Sequence, residues 1–322
     1  MSSATTPSRK HWPIRRSDIN ESQYIANKIK RVRNGIAKAG IIPVITPPTD
    51  FNLDWDDTLI PIAPNYYAIE QAVLECAYAG CKTIWIVANN DTTPLIRHRI
   101  GDYVQDPVYL RRMAQKYPSL QRKEISVFYV PMPPQHDNKE LCTAWTILYG
   151  AKTAYEVGLQ ISKWATPKRF YVAFPLSVYP ADTIRPHREE IRDIDNLIYT
   201  YEDKSILTGD LLGFTFTDKQ MRQGLELFTD VETSLIFEEP EEERKHFFDN
   251  FSLEKVFKQI ILDSRTEVEL PWYYPVDGWD NYCAYMSSEE RKEIRHPGKL
   301  VISYREYSPI GRDVEKVLDE ED

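Results

Sequence analysis

The sequence is poor in cysteine, and the spacing of its cysteines matches no common zinc motif. The four are Cys76, Cys81, Cys142 and Cys283, and none forms a Cys-x-x-Cys pair or lies at a metal-like spacing from a histidine. This pattern is typical of free thiols in a reducing compartment. The six histidines are scattered along the chain, so zinc chemistry has no support.

The sequence also lacks long apolar runs. No run approaches the ~18 residues that a membrane-spanning helix needs. The first residues, MSSATTPSRKHWPIRR, contain no apolar core of a signal peptide. We therefore expect no membrane span and a cytoplasmic location, or assembly into a particle inside a cell.

Positive charge is not in excess, and several catalytic signatures are missing. The formal net charge is −9, which argues against nucleic acid as the main partner. A P-loop, a G-x-G-x-x-G motif and a G-x-S-x-G motif are all absent. The sequence therefore shows no dinucleotide-binding, P-loop or serine-hydrolase site.

The composition is otherwise that of a globular protein with a substantial core. Hydrophobic residues make up 42% of the 322 and charged residues 28%. Aromatic residues are frequent, with 20 tyrosines and 7 tryptophans. They are interpreted mainly as core, with extra interface area as the alternative.

The stretch from Thr58 to Gly101 shows the clearest alternation of helix and strand. Helical spacing predicts an amphipathic helix that ends at Gly80, because glycine readily adopts the positive φ of a helix terminus. Thr83–Ala88 reads as a strand that is buried on both faces, and Pro94 can begin a second helix. The apolar positions of the first helix are Ile69, Val73, Leu74, Cys76 and Ala77, with Glu70, Gln71 and Glu75 on other faces.

These patterns predict an α/β fold, a Rossmann-like mixed sheet with helices on both faces. The predicted central strands are Ile41–Ile45, Thr83–Ala88, Ile125–Val130 and Lys168–Phe174. A further helix is predicted before the first strand and ends at Gly40. We expect a flexible arm over residues 1–17, a single domain over 18–313 and an acidic tail over 314–322.

The same stretch resembles the sugar-phosphate nucleotidyltransferases, the pyrophosphorylases that make NDP-sugars. Ala79-Gly80 fits the Ala-Gly turn of that family, and Ile84-Trp85-Ile86-Val87 fits the strand after it. Leu59-Ile60-Pro61-Ile62 fits the end of its Lys-Pro-x-x-Pro-Ile segment. The resemblance spans roughly Ile41 to Glu293 and implies a nucleotidyltransferase or GT-A-like fold.

The phosphate-binding part of the family pattern is changed. The family has a glycine-rich loop with an arginine after the first strand. Here the loop from Thr46 to Asp57 contains no Gly, Arg or Lys, and it contains four Asp and two adjacent Pro. Asp57 stands where the family has a lysine. The resemblance still gives Thr46, Thr143 and Ala144 as candidate nucleotide-binding residues, although Cys142 replaces the glycine of the family's Gly-Thr-Ala.

The metal ligands of the family are only partly matched. The strand that ends in Gly-Asp in the family ends here in Pro175-Leu176-Ser177, and the nearest carboxylate is Asp182, which more readily caps a turn. The resemblance gives Asp182, Asp280 and Asn281 as candidate metal ligands, since Trp279 matches the family's tryptophan. Mg²⁺ is expected if the protein is catalytic, and no cofactor otherwise. No residue is assigned as catalytic.

Three functions remain open. The favoured one is a pseudoenzyme: a nucleotidyltransferase-like protein with a degraded active site, acting as a binding or structural component of a larger, for instance virus-borne, assembly. The alternative is an active enzyme that makes an NDP-sugar from an NTP and a sugar 1-phosphate, with charge supplied from unusual places by Arg97, Arg99, Lys168 and Arg185. The third is a glycosyltransferase that uses Asp54-Trp55-Asp56. The expected partners are a nucleotide or sugar phosphate, and other proteins or further copies of this chain.

Overall fold

The computed structural model describes residues 37–44, 49–108, 124–132, 143–162, 165–229, 251–261 and 265–298. The predicted N-terminal arm, the helix before the first strand and the acidic tail lie outside the described residues. The sequence also predicts a helix over Tyr109–Tyr117, and this segment likewise lies outside the described residues. The predicted domain boundaries therefore stay predictions.

The described strands are β1 (Ala37–Pro43), β2 (Pro61–Ala63), β3 (Tyr66–Tyr67), β4 (Thr83–Ala88), β5 (Tyr103–Gln105), β6 (Glu124–Pro131), β7 (Pro167–Val172), β8 (Ser177–Val178), β9 (Asn196–Tyr201), β10 (Lys204–Ser205), β11 (Phe214–Thr217), β12 (Arg265–Glu269) and β13 (Tyr274–Pro275). Nine of them form one mixed sheet, in the order β10-β9-β11-β7-β1-β4-β6-β5, with β12 paired to β9. The strands β1, β4, β6 and β7 are parallel to one another and occupy the middle of the sheet. β2 pairs with β3, and β8 with β13, in two small separate sheets.

Helices cover both faces of the sheet, as the sequence predicts. They are α1 (Ala68–Tyr78), α2 (Thr93–Ile100), α3 (Thr143–Ile161), α4 (Asp218–Thr229), α5 (Leu253–Ile260) and α6 (Trp279–Ser287). Successive residues of a strand point to opposite faces. Thus Ile84 and Ile86 of β4 join the core that contains α1, whereas Trp85 joins the core that contains α3, α4 and α5. The Rossmann-like α/β fold class is confirmed.

The strand β4 lies between β1 and β6, which confirms the prediction of a strand buried on both faces. Its register places Trp85 between Ile41 and Phe128. The rings of Trp85 and Phe128 stack with centroids 4.3 Å apart. A run of β-branched and aromatic residues favours this position because both of its faces are covered.

The first strand begins earlier than predicted. β1 starts at Ala37, so Gly40 lies inside the strand and does not end a helix. A Cβ on Gly40 would lie 2.7 Å from the Sγ of Cys76, so glycine is needed where α1 approaches the sheet. The run Ala37-Lys38-Ala39 has no strong strand preference, and pairing with β4 and β7 overrides its local tendency.

The helix α1 ends as predicted, but its surroundings differ from the prediction. Gly80 adopts φ +78° just after the helix. Glu70, Gln71 and Glu75 are buried, although the sequence places them on faces away from the core. A 3-10 turn, Ala181–Ile184, packs on the side of α1 that the sheet leaves open. Each of the three polar side chains hydrogen-bonds to a group that is distant in the sequence. Glu70 accepts from the Arg99 guanidinium, Gln71 donates to the Tyr179 carbonyl, and Glu75 accepts from the Tyr179 hydroxyl.

Among the described helices, none combines the length and the apolar character that crossing a lipid bilayer requires.

Candidate functional site

The carboxyl ends of β1, β4, β6 and β7 meet at one edge of the sheet, where open α/β sheets bind ligands. The chain leaves β1 toward a loop over residues 49–57, here called the acidic loop. It leaves β4 through Asn89-Asn90, and β6 through Pro131-Met132. The segment after β7 contains Phe174, Pro175 and Leu176. These segments and the start of α6 form the candidate site.

The acidic loop is bound to the start of α6. The backbone N–H of Trp279 donates to Oδ1 of Asp50 at 2.9 Å. A Cβ on Gly278 would lie 3.0 Å from the same oxygen. Phe51 is buried, and its ring centroid lies 5.1 Å from that of Trp279 and 6.1 Å from that of Tyr282. The carboxylate of Asp50 therefore satisfies a helix N–H that has no partner within the helix.

Two more carboxylates bind groups within the acidic loop or in the 3-10 turn that begins at its end. Oδ1 of Asp56 accepts from the backbone N–H of Thr58 at 2.9 Å and caps the 3-10 turn Asp57–Leu59. Burial raises the pKa of Asp56, and its hydrogen bonds to Thr58 counteract that increase. Asp57 accepts a hydrogen bond from the hydroxyl of Thr49. A metal held by Asp54-Trp55-Asp56 would compete with the bonds of Asp56 to Thr58, so the glycosyltransferase interpretation gains no support.

Replacing Asp50 by alanine is expected to lower the free energy of unfolding by about 1 kcal/mol, because a helix N–H loses its acceptor. Asp50→Asn keeps an acceptor oxygen and is expected to lose less. Asp54→Ala, at an exposed position of the same loop, is the matched control and should change stability by less than about 0.5 kcal/mol. Urea unfolding followed by circular dichroism measures all three. Equal losses for the Asp50 and Asp54 variants would contradict a specific role for the contact with α6.

The segment after β7 offers no carboxylate where the family has one. Phe174 and Leu176 are buried, and the hydroxyl of Ser177 donates to the carbonyl of Leu211. The carbonyl of Leu176 accepts from the backbone N–H of Val276 at 2.8 Å. The chain that leads into α6 therefore runs directly beside the segment that follows β7.

The predicted metal ligands lie on two separate elements. Asp280 and Asn281 are exposed in the first turn of α6, and the Asn281 amide donates to Oδ1 of Asp277 at 2.7 Å. Asp182 is exposed inside the 3-10 turn Ala181–Ile184. It is not the cap that the sequence analysis favoured, since Pro180 occupies the N-cap position and Asp182 contributes only its carbonyl, which accepts from Arg185 N–H at 2.9 Å.

The antiparallel pairing of β8 with β13 separates these ligands. Val178 pairs with Tyr274, and Ser177 with Pro275, so the chain after β8 and the chain after β13 leave the pair in opposite directions. The first leads to Asp182 and the second to Asp280. Nowhere in the described ranges do three or more His, Cys, Asp or Glu side chains come together as a metal site would need. Asp182 therefore lies on a different element from Asp280 and Asn281, and a Mg²⁺ site built from these residues stays a prediction.

The two predicted nucleotide-binding residues that the structure describes are both buried. Thr46 lies outside the described residues. Thr143 and Ala144 begin α3, and both are buried. Ala144 has 0% exposure and belongs to the apolar core on that face of the sheet. A direct contact of Ala144 with a nucleotide would require this end of α3 to open.

A cleft of about 530 Å³, here called the edge cleft, lies at the carboxyl ends of β4 and β6. It is lined by Asn90, Arg97, His98 and Pro131, among others. The guanidinium of Arg97 forms an ion pair of 2.9 Å with Asp102, which also lines the cleft. The sequence analysis identified Arg97 but not Asn90 or His98. In the sequence, these two residues are marked as site candidates only by their positions, since Asn90 follows β4 and His98 lies within α2.

The other cations named from the sequence lie away from the edge cleft. Arg99 is paired at 2.9 Å with the buried carboxylate of Glu70. Lys168 lies near the start of β7, which is the opposite edge of the sheet, and Arg185 follows the turn that contains Asp182. Of these cations, Arg97 alone lines the edge cleft, and its charge is offset by Asp102.

A second, mainly apolar cleft of about 490 Å³ adjoins the edge cleft, because Asn90 and Pro131 line both. Trp85, Phe128 and Tyr149 contribute aromatic walls. The two clefts together provide an apolar surface beside a polar one with balanced charge. This arrangement can bind a small molecule or a side chain, but the lining residues that the structure describes concentrate no positive charge for a triphosphate.

Comparisons with known proteins found similar solved structures at low sequence identity. Neither a protein-family model nor a curated protein matches the chain. Similar solved structures include a UDP-glucose pyrophosphorylase complexed with UDP-glucose (TM-score 0.49, 10% identity, 80% of this chain and 99% of that one). Another is a Bacillus anthracis protein assigned as a glucose-1-phosphate thymidylyltransferase, in complex with sucrose (TM-score 0.48, 12% identity, covering 82% of this chain and 99% of that one). A third is the UDP-glucose pyrophosphorylase of Acinetobacter baumannii (TM-score 0.46, 10% identity, covering 89% of this chain and 100% of that one). These similarities concern the fold.

Proposed function

We propose that this protein is a nucleotidyltransferase-like protein without catalytic machinery, which acts as a non-catalytic binding or structural component of a larger assembly. The observation that carries the proposal is the use of the acidic loop. Its carboxylates bind the start of α6, the backbone N–H of Thr58 and the hydroxyl of Thr49. They serve as structural contacts at the edge where the resembled family binds phosphate.

Electrostatics support the same conclusion. Phosphate sites at strand ends use free backbone N–H groups and local positive charge. Here the N–H of Trp279 already donates to Asp50, and the acidic loop contains three further aspartates. Two like charges ~4 Å apart repel by about 1 kcal/mol even in water. Several such pairs would remove much of the ~8 kcal/mol of a micromolar affinity.

Exposed tryptophans beside the same edge suit contact with a protein. Trp55 of the acidic loop is 52% exposed, and Trp279 at the start of α6 is 44% exposed. Tryptophan is enriched in protein interfaces because its large ring adds apolar area and its N–H can still donate. We infer that protein partners, or further copies of this chain, contact this edge.

Titration calorimetry with UTP, dTTP, CTP and GTP, each with Mg²⁺, tests the proposal. We expect no micromolar binding by the folded protein, and no pyrophosphate release when a sugar 1-phosphate is added. Micromolar affinity for any of the four would overturn the proposal. In that case the Asp54→Asn, Asp56→Asn, Asp57→Asn triple variant would show whether the acidic loop holds the metal, through loss of the Mg²⁺-dependent part of the affinity.

The alternative function is an active sugar-phosphate nucleotidyltransferase that uses Mg²⁺. Its specific support is the edge cleft, which is large enough for a small ligand and is lined by Asn90, which follows β4, and by Arg97 of α2. Arg97→Gln separates the two functions. It should weaken nucleotide binding if the edge cleft is an active site, whereas the non-catalytic proposal expects no nucleotide binding in either protein.

A further inference from the structure

The strand β6 is longer than the strand beside it, so the end of its outer edge has no partner strand in the described structure. β5 pairs only with residues 124–126, whereas β6 continues to Pro131. Among the described strands, only β4 and β5 are neighbours of β6. The outer edge over residues 128–131 is here called the free edge. We propose that the free edge binds an extended peptide segment of a partner protein, which joins the sheet as a further strand.

The backbone groups of Tyr129 point toward the free edge. The backbone N–H of Val127 donates to the carbonyl of Asp102 at 2.9 Å, on the side of β6 away from β4. The backbone N–H of Met132 donates in the other direction, to the carbonyl of Ala88 at the end of β4. Because alternate residues of a strand direct their N–H and C=O groups to the same neighbour, Tyr129 points away from β4, as Val127 does. Unpaired N–H and C=O groups of an edge strand are a template for another chain.

The mainly apolar cleft of about 490 Å³, here called the apolar cleft, opens onto the free edge. Its lining includes five consecutive residues, 128–132. Successive side chains of a strand point to opposite faces, so a cleft that contacts all five passes along an edge of the strand. β4 occupies the inner edge of β6 from its residue 126 to its residue 131. The apolar cleft therefore reaches the backbone of β6 from the free edge.

The apolar cleft and the edge cleft lie on opposite faces of the sheet. Residues of α3 line the apolar cleft, and residues of α2 line the edge cleft. The core that contains Trp85 covers the face under α3, whereas Ile96 and Ile100 of α2 belong to the core on the other face. Pro131, at the end of the free edge, lines both clefts. A strand along the free edge would therefore direct alternate side chains to the two clefts, as in peptide recognition by strand addition.

The linings of the two clefts define the side chains of the peptide. Aromatic side chains, including that of Phe128, line the apolar cleft and suit an apolar residue. The edge cleft contains the amide of Asn90 and the hydroxyl of Thr93, and the charge of Arg97 is offset by Asp102. The segment thus alternates apolar residues with uncharged polar ones. This inference rests on the proposed function, which includes protein partners, and adds the kind of segment that one of them contributes.

Calorimetry and NMR on the full chain test the inference, with the blocked peptide acetyl-Thr-Phe-Thr-Val-Thr-amide as the probe at up to millimolar concentration. We expect the probe to bind and to slow hydrogen–deuterium exchange at the amide of Tyr129, because that N–H gains an acceptor. The analogue acetyl-Thr-Ser-Thr-Ser-Thr-amide should bind at least about tenfold more weakly, since it loses the apolar contacts.

Methylation of the peptide nitrogens separates backbone pairing from burial of side chains. One analogue carries N-methyl groups on its phenylalanine and valine, and the other carries one on its middle threonine. Only alternate N–H groups of an added strand point toward β6. One analogue should therefore bind about tenfold more weakly than the probe, and the other should bind like the probe. Equal effects of the two methylation patterns would overturn strand addition.

Variants of the protein locate the peptide. Thr153→Arg, at a half-buried position of α3 that lines the apolar cleft, should weaken binding of the probe about tenfold, because its side chain occupies the cleft. Asn90→Arg, at an exposed position that lines both clefts, should do the same. Gln160→Arg, at an exposed position of α3, is the matched control and should bind the probe unchanged. No binding by the wild type, or equal affinity of all three variants, would overturn the inference.

Two further outcomes identify a different occupant or a different function. Sedimentation of the wild type as a dimer that Thr153→Arg separates would mean that a second copy of this chain occupies the free edge, and would overturn the assignment to a partner protein. Micromolar nucleotide binding would refute the non-catalytic function and leave the peptide results unchanged. Failure of the probe to bind, without nucleotide binding, would refute strand addition alone.

Discussion

Replacing Arg188 by methionine is expected to lower the free energy of unfolding by about 3–5 kcal/mol, as for removal of one partner from a buried ion pair. Nη1 of Arg188 donates to Oδ1 of Asp106 at 3.0 Å, and Nη2 donates to the other carboxylate oxygen. The Asp106 side chain is fully buried, so the variant would leave a negative charge in the core. Nη1 also donates at 3.0 Å to the carbonyl of Ala77 in the last turn of α1.

Arg188 also organises the backbone around it. Its carbonyl accepts from Nζ of Lys38 at 2.8 Å, and the same ammonium group donates to the carbonyl of Ala79. A Cβ on Gly80 would lie 2.7 Å from Nε of Arg188. The end of α1, the start of β1 and the turn that contains Arg188 therefore share one polar cluster. Methionine fills similar volume but donates no hydrogen bond.

Chemical denaturation of the wild type and Arg188→Met measures this loss. Arg265→Met is the matched control, because Arg265 forms an exposed ion pair with Glu267. Exposed pairs contribute about 0–1 kcal/mol. The double variant Asp106→Leu, Arg188→Met should recover part of the loss, since it removes the buried carboxylate together with the guanidinium that it binds. A loss in Arg188→Met no larger than that in the control would refute a structural role for this pair.

The fold was largely predictable because its strongest signals are local. Thr83–Ala88 is a continuous apolar run followed by a polar turn, and this pattern alone specifies a central strand. The start of β1 was not predictable. Ala37-Lys38-Ala39-Gly40 carries small residues because α1 lies against it, and that contact depends on Cys76, 36 positions away from Gly40.

The candidate site depends on contacts that no local pattern contains. Asp50 and Trp279 are separated by 229 positions, so nothing near Asp50 indicates that it binds the start of α6. The same holds for the buried face of α1, where Gln71 bonds to Tyr179 across 108 positions. Asp182 and Asp280 are separated by the β8–β13 pair, whose strands have two residues each and give almost no signal in the sequence.

The carboxyl group of Glu75 is expected to make the stability of the protein depend on pH. Glu75 is fully buried in α1, and its Oε1 accepts from the hydroxyls of Tyr171 and Tyr179, the latter at 2.8 Å. Burial raises the pKa of Glu75 from 4.5 to about 8, although these hydrogen bonds act to lower it. The pKa values of both tyrosines are raised by burial, so both hydroxyls keep donating across the relevant range.

The direction of the effect follows from proton binding. Between pH 4.5 and about 8 the folded protein holds a proton on Glu75 that the unfolded chain has released. Stability falls with rising pH wherever the folded state binds more protons than the unfolded state. The contribution of Glu75 therefore decreases across this window and levels off above pH 8. The free energy of unfolding changes by about 5 kcal/mol in total across this window by linkage.

Glu75→Gln removes the titrating group and keeps an oxygen that can accept from both tyrosines. Its free energy of unfolding, relative to that of the wild type, should rise by several kcal/mol between pH 5 and pH 8, as measured by urea unfolding in steps of pH. Glu226→Gln, at an exposed position of α4, is the matched control and should show no such trend. A constant difference between Glu75→Gln and the wild type across the window would mean that Glu75 is ionised in the folded protein. The buried tyrosine hydroxyls would then stabilise a carboxylate instead of a neutral acid.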